Sequence, residues 1–340
     1  MRGSGFAAIA LAACGLAATA AVPQPKPPIL DDAAYSHPQR LVDVGGRRIN
    51  LYCRGRGGPT VVLDSGLSDP TLVWGAVQPA LSRDLRVCAY DRAGIGFSDP
   101  SGRAGDSRNI VGDLRALLRA AGVPPPYVLV GHSYGGLNVR LFAYEHSAEV
   151  AGLVLIDPAH EDADARYTAA DPTWAASNAR RLTRDRACAA RVPPEGFAEG
   201  SEGFATCVVP AEAWFSPRLN AVRRRLEARR SFQLAQVLEV ESLTLGVSDA
   251  QVRAARRPLG ARPLIVLSSL EAPAPDATGT TAAHDRVQWA LHEDLIADSV
   301  RGEHEGVART GHYIQLDRPE IVVDAVRRVV RTARLARGPG

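Results

Sequence analysis

Ser133 sits in Val130-Gly131-His132-Ser133-Tyr134-Gly135-Gly136, with a glycine two positions away on either side. A serine hydroxyl is a weak nucleophile until a neighbouring base takes its proton, after which it can attack a carbonyl and carry an acyl group. Candidate bases in this chain are His132, His160, His284, His292, His304 and His312, and candidate carboxylates to orient one of them are Asp157, Glu271 and Asp276. The Gly-x-Ser-x-Gly pattern alone also describes a plain glycine turn or a phosphate cradle. What distinguishes the readings is a strand before the serine, a helix after it, and partners brought to the same place.

The surrounding elements supply that context. The apolar run Tyr127–Val130 ends abruptly at Gly131, and helix-forming residues follow the serine. Residues 59–66 (PTVVLDSG), 85–94 (LRVCAYDRAG), 150–158 (VAGLVLIDP) and 262–269 (RPLIVLSS) are similar short apolar runs, the pattern of strands buried on both faces. Residues 40–55 read as two short strands around the Gly45-Gly46 turn, with Ile49, Leu51 and Cys53 alternating. Apolar spacing predicts a helix from Asp113 to Gly122 and a C-terminal one over 318–335, with Ile321, Val322, Ala325, Val326, Val329 and Val330 on one face. Asp317 and Glu320 have capping-box spacing there, with Pro319 at the start. Strands alternating with helices imply a mostly parallel sheet covered on both faces. From 160 to 260 the texture changes: Arg and Ala dominate, strand-like runs vanish, and 221–240 reads as one amphipathic helix.

With these motifs in order, the chain resembles the α/β-hydrolase fold family. The resemblance rests on YDRAGIGFSDP at 90–100, GHSYGG at 131–136 and GHYIQLDRPE at 311–320, and covers Leu41 to about Arg334 apart from the insertion. It implies an eight-stranded, mostly parallel sheet flanked by helices, with core segments 41–159 and 261–335 and a helical lid, 160–260, inserted after strand 6. It also implies roles. Ser133 becomes the nucleophile, and His312, between the last strand and the C-terminal helix, the general base; His284, His292 and His304 read as solvated helix or loop residues. The backbone N–H groups of Leu67 and Tyr134 become the oxyanion hole. Asp91 and Arg92 become structural.

The acid departs from the family pattern, because Ala272 stands where the usual aspartate after strand 7 would fall. A carboxylate at the end of strand 6 reaches the same sheet edge, so Asp157 is the expected acid, with Glu271 as alternative and Asp276 third. In this fold the second and fourth strands are neighbours, so Cys53 and Cys88 are expected to pair, and Cys188 with Cys207 to close a loop inside the lid. Trp174, Phe204, Trp214 and Phe215 of the lid are candidates for the pocket wall.

The N-terminus adds a compartment. Arg2, the apolar run from Phe6 and Ala18-Thr19-Ala20 read as a secretory signal peptide cleaved near Ala20. The rival reading is a lipobox, Leu11 to Cys14, with residues 1–13 removed and Cys14 acylated; the residues after Cys14 stay apolar, which favours soluble export. Residues 21–40 follow as a proline-rich tether. An even number of remaining cysteines in an exported chain favours disulfides, and their spacing fits no zinc site. At 340 residues, 46% apolar and a net charge of +3, the chain has the makeup of a globular protein without a basic stripe for nucleic acid. The function expected is cleavage of a small-molecule carboxylic ester by acyl-enzyme chemistry, with no metal or organic cofactor. The alternatives are a peptidase, lactonase or haloperoxidase-like activity, or a non-catalytic binding protein on the same scaffold.

Overall fold

The computed structural model describes residues 29–270 and 280–336. Eight strands form one sheet in the order β1-β2-β4-β3-β5-β6-β7-β8. They are β1 (Arg40–Asp43), β2 (Arg48–Arg54), β3 (Thr60–Asp64), β4 (Val87–Tyr90), β5 (Tyr127–His132), β6 (Val150–Ile156), β7 (Leu264–Leu270) and β8 (Gly302–Ala308). Strand β2 runs antiparallel to β1 and β4, and every later pairing is parallel. This is the sheet that the resemblance implies.

The helices are α1 (Val77–Leu81), α2 (Ser107–Ala120), α3 (Tyr134–Glu145), α4 (Ala163–Ala170), α5 (Trp174–Arg191), α6 (Glu202–Cys207), α7 (Pro217–Glu227), α8 (Arg230–Thr244), α9 (Val247–Ala255), α10 (Thr280–Ile296), α11 (Ile314–Asp317) and α12 (Pro319–Leu335). Side chains alternate across a strand, so the central strands feed two cores. Val62, Tyr127 and Leu129 pack on one face with Leu114 and Leu117 of α2 and Leu137 and Leu141 of α3. Val61, Leu63, Val128 and Val130 pack on the other with Val77 of α1 and Val322, Val326 and Val329 of α12. Burying each such side chain contributes roughly 1.5–3 kcal/mol, which is why these runs carry no polar face.

Several boundaries differ from the sequence reading. Helix α2 begins at Ser107 rather than Asp113, because Asp106 accepts the N–H groups of Arg108 and Asn109 and caps it. The single helix expected over 221–240 is two, α7 and α8, parted at Ala228 and Arg229. The capping box at Asp317 and Glu320 is absent: Arg318 is the N-cap of α12 without a side-chain bond. Asp317 instead accepts from the Gly311 N–H (3.0 Å) and the Trp214 indole N–H (2.9 Å).

The tether expected over 21–40 is also too long. Leu30 bonds through its backbone to Trp214 and Ser216, and Tyr35 is buried against Leu72, Phe215, Leu219 and Leu316. The rest of that tether, the export signal with Cys14, and the alternative acids Glu271 and Asp276 lie outside the described residues.

Two disulfides are present. Cys53 and Cys88 stand opposite each other on β2 and β4 and are bonded. Cys188–Cys207 joins α5 to α6, among the six helices that separate β6 from β7.

Candidate active site

Strand β5 ends at His132 and α3 begins at Tyr134, so Ser133 makes the turn alone, at φ 51° and ψ −119°. A non-glycine residue there stores strain on the order of 1–3 kcal/mol. Backbone bonds hold it: the Ser133 N–H donates to Ile156 (3.0 Å), and the Ser133 carbonyl accepts from Gly136 (2.8 Å) and Ala159 (2.9 Å). The flanking glycines are needed because strand and helix touch. A Cβ on Gly131 would stand 2.5 Å from the Gly135 carbonyl oxygen, and one on Gly135 would stand 2.3 Å from that of Asp64.

Asp157 follows β6 directly, and His312 lies between β8 and α11. The His312 Nδ1–H points at Asp157 Oδ2, 2.6 Å away. Asp157 Oδ1 accepts from the Ser269 N–H (2.9 Å), the Ser269 hydroxyl (3.1 Å) and the Gln288 side chain (2.5 Å). Burial favours the protonated acid, but the His312 bond and charge outweigh it and hold the Asp157 carboxyl below the usual range. The reverse holds at His312, where burial lowers the pKa and Asp157 raises it further, for a net upward shift. Neither Ser269 nor Gln288 was singled out by sequence. Ser269 follows the apolar run of β7, so a polar residue at a strand end was its only signal.

Gly66 and Leu67 follow β3. Among the described residues, neither the Leu67 nor the Tyr134 N–H donates to a protein acceptor. Gly66 has no room for a Cβ, which would fall 2.7 Å from Asp69 Oδ2 and 2.8 Å from His132 Nδ1. Ser65 accepts from the Trp74 indole (2.9 Å). Arg92, 3% exposed, donates to Asp64 (2.9 Å), the Ser65 carbonyl (2.7 Å) and both oxygens of Glu239 (2.7 and 2.9 Å). Glu239 in turn accepts the Ser68 N–H at 2.7 Å. Helix α8 is thereby tied to the loop that carries Leu67, a link between residues far apart in the chain. Asp91 accepts from the Phe97 N–H in its own loop, the Thr71 N–H after β3 and the Asn50 side-chain amide on β2, and so ties these segments together.

His132 is fully buried and braces the loop of His312. A carbonyl can only accept, so the contact of 2.9 Å between its Nε2 and the His312 carbonyl puts the ring proton on Nε2. Its ring lies 4.7 Å from the His312 ring. Burial, with the charge on His312 adding, pushes its pKa down to about 3, so it stays neutral.

A cavity of about 460 Å³ contains Ser133, Asp157, His312 and Leu67 together with His160, Tyr167, Trp174, Arg181, Asp249 and His292. Of the four aromatic residues expected at the wall, Trp174 alone lines it. Phe204 packs with Val208 and Ala228, Phe215 joins Tyr35, and Trp214 bonds to Asp317. His292, expected to be solvated, is buried: its Nε2–H donates to the Pro158 carbonyl (2.9 Å) and Nδ1 accepts from Ser268 (2.6 Å). Among the described residues no cluster of side chains could hold a metal ion. A smaller apolar cavity of about 240 Å³ between α8 and residues 100–113 holds none of these catalytic candidates.

Residues 59–191 match the family described as the alpha/beta hydrolase fold. The chain is 30% identical over 203 residues to "Putative carbamate hydrolase RutD" of Stutzerimonas stutzeri (strain A1501), covering 56% of this chain and 73% of that one. It is 36% identical over 109 residues to YqjL of Bacillus subtilis (strain 168), 32% of this chain and 43% of YqjL. The match thus spans under half of YqjL. Among solved structures, a "putative epoxide hydrolase" of Pseudomonas aeruginosa superposes with a TM-score of 0.63 at 18% identity, over 85% of this chain and 94% of that one; at that identity the likeness is one of fold.

Proposed function

The chain belongs to the α/β-hydrolase family, and from that premise we propose that it is an exported serine hydrolase that cleaves carboxylic esters through an acyl-enzyme. The observation that carries the reading is the left-handed turn at Ser133 opening into the same cavity as an imidazole bonded to a buried carboxylate.

In the proposed reaction the Ser133 hydroxyl attacks the ester carbonyl as His312 Nε2 takes its proton. The oxyanion that forms is met by the Leu67 and Tyr134 N–H groups, the second lying at the N-terminus of α3, where the helix dipole favours negative charge. His312 then protonates the departing alcohol, leaving the acyl group on Ser133. Water enters, gives its proton to His312, and the carboxylic acid leaves as Ser133 recovers its proton. Asp157 fixes the imidazole tautomer and stabilises the imidazolium throughout. A serine at the elbow argues against displacement by an enzyme carboxylate.

A fluorophosphonate probe tests the nucleophile, and p-nitrophenyl esters of rising acyl length test the reaction and the pocket together. Carbamate esters belong in the same panel, because a relative carries that name. Absence of label on Ser133 in folded protein, together with no turnover, would return the chain to the class of binding proteins on this scaffold.

A further inference from the structure

The lining of the cavity carries polar groups that ester cleavage leaves unused. His160 is 2% exposed, and its Nδ1 accepts the Asp162 N–H at 3.0 Å. The ring proton therefore sits on Nε2. Burial, with the Arg140 charge adding, pushes the His160 pKa down to about 4, so the ring is neutral near pH 7. Among the described residues that Nε2–H has no protein acceptor. Asp249, in the first turn of α9, is 8% exposed, and among the described residues its Oδ1 has no protein donor. Both side chains line the cavity that holds Ser133 and His312.

A buried donor or acceptor left bare is costly, and a site built to bond a polar group discriminates against analogues that lack it. An aliphatic chain would leave both groups bare. An ammonium would suit ionised Asp249 alone and a carboxylate the His160 N–H alone, so neither kind of group serves at both positions. A hydroxyl donates and accepts from one atom, so it complements either group. It also tolerates a change at Asp249, whose pKa is pushed up to about 7, first by burial and then by the nearby Glu161 and Asp164 charges against Arg253 and Arg140. A hydroxyl donates to the carboxylate form and accepts from the acid form.

We infer that the esters cleaved at this site carry hydroxyl groups, bound by His160 Nε2 and Asp249 Oδ1. The inference rests on the serine hydrolase reading and narrows it to hydroxylated acyl or alcohol moieties.

Two substrate pairs test it with the intact protein. Glycerol monobutyrate against propyl butyrate, followed by pH-stat, places hydroxyls on the alcohol side. The p-nitrophenyl esters of 3-hydroxybutyrate and butyrate place one on the acyl side. The expected result is a kcat/KM at least about tenfold higher for the hydroxylated member of one pair. In Asp249→Leu that ratio falls toward one, and in Asp249→Asn, which keeps an acceptor, part of it returns. Equal rates within both pairs overturn the inference from the unmodified protein alone, whatever happens to the folding of the variants, and leave ester cleavage standing. A preference that survives intact in Asp249→Leu and in His160→Phe overturns it as well. Failure to turn over any of the four esters, with no fluorophosphonate label on Ser133, overturns the hydrolase reading itself.

Discussion

In the proposed mechanism His312 is the group whose protonation decides whether Ser133 can react, and its partners set the pH at which that happens. Its pKa is raised above the ordinary 6.5 because the Asp157 bond and charge outweigh burial. A base must be unprotonated to act, so activity is lost as pH falls through that raised value. The pH profile of kcat/KM is expected to rise with a midpoint above 6.5; a profile flat from acid to alkaline pH would remove His312 as the base. Asp157→Asn should move the midpoint down and lower kcat by about 10³- to 10⁴-fold, the scale of losing tautomer control. Near-normal turnover in that variant would hand the role to another carboxylate. Ser133→Ala should abolish fluorophosphonate labelling while leaving the melting temperature unchanged or raised, since alanine removes no buried packing.

At the scale of elements, the loop after β3 that carries Leu67, a proposed oxyanion donor, is held from outside the sheet. Arg92 and Glu239 are both nearly inaccessible, and Glu239 alone ties α8 to the Ser68 N–H. Removing one member of a buried pair typically costs about 3–5 kcal/mol, because the other charge is left behind; Asp64 remains as a partner for Arg92, so Glu239→Ala is expected at the lower end. Its kcat should fall with stability, as the loop that carries Leu67 loses the bond from the Ser68 N–H to Glu239. Urea denaturation read beside kcat on a short ester checks this, and wild-type values for both would show that α8 does not brace the loop. Asp317 plays a comparable part beside His312, through the Gly311 N–H and Trp214.

Over the whole molecule, the helices between β6 and β7 form the part least dictated by the sheet, and a disulfide fastens two of them. In the chain-entropy model a loop of the size closed by Cys188–Cys207 contributes about 3 kcal/mol. The double variant Cys188→Ala/Cys207→Ala should lose up to that amount in chemical denaturation, and unchanged stability would count against the link. Alkylation of native oxidised protein, read by mass spectrometry, should find Cys53, Cys88, Cys188 and Cys207 all protected. Disulfides persist in oxidising compartments, which supports the proposed export. Among the described residues no helix is long and apolar enough to cross a membrane.

Local chemistry was enough to make the core and the strand–turn–helix at Ser133 legible. Apolar runs of strand length, glycines on both sides of Ser133 and the apolar face of α12 each express a constraint met within a few residues, so they are written in the order of the chain. Asp157 was visible as a carboxylate at a strand end, and the family resemblance made it the candidate acid ahead of Glu271 and Asp276. The tertiary structure alone decided what touches what across the chain. Ser269 and Gln288 hold Asp157, Glu239 holds Arg92, Asp317 accepts from the Trp214 indole instead of capping α12, and His292 is buried rather than solvated. In each case a polar side chain satisfies a partner tens or more residues away, and no local pattern records a hydrogen bond that exists only once the sheet has brought distant segments to one edge.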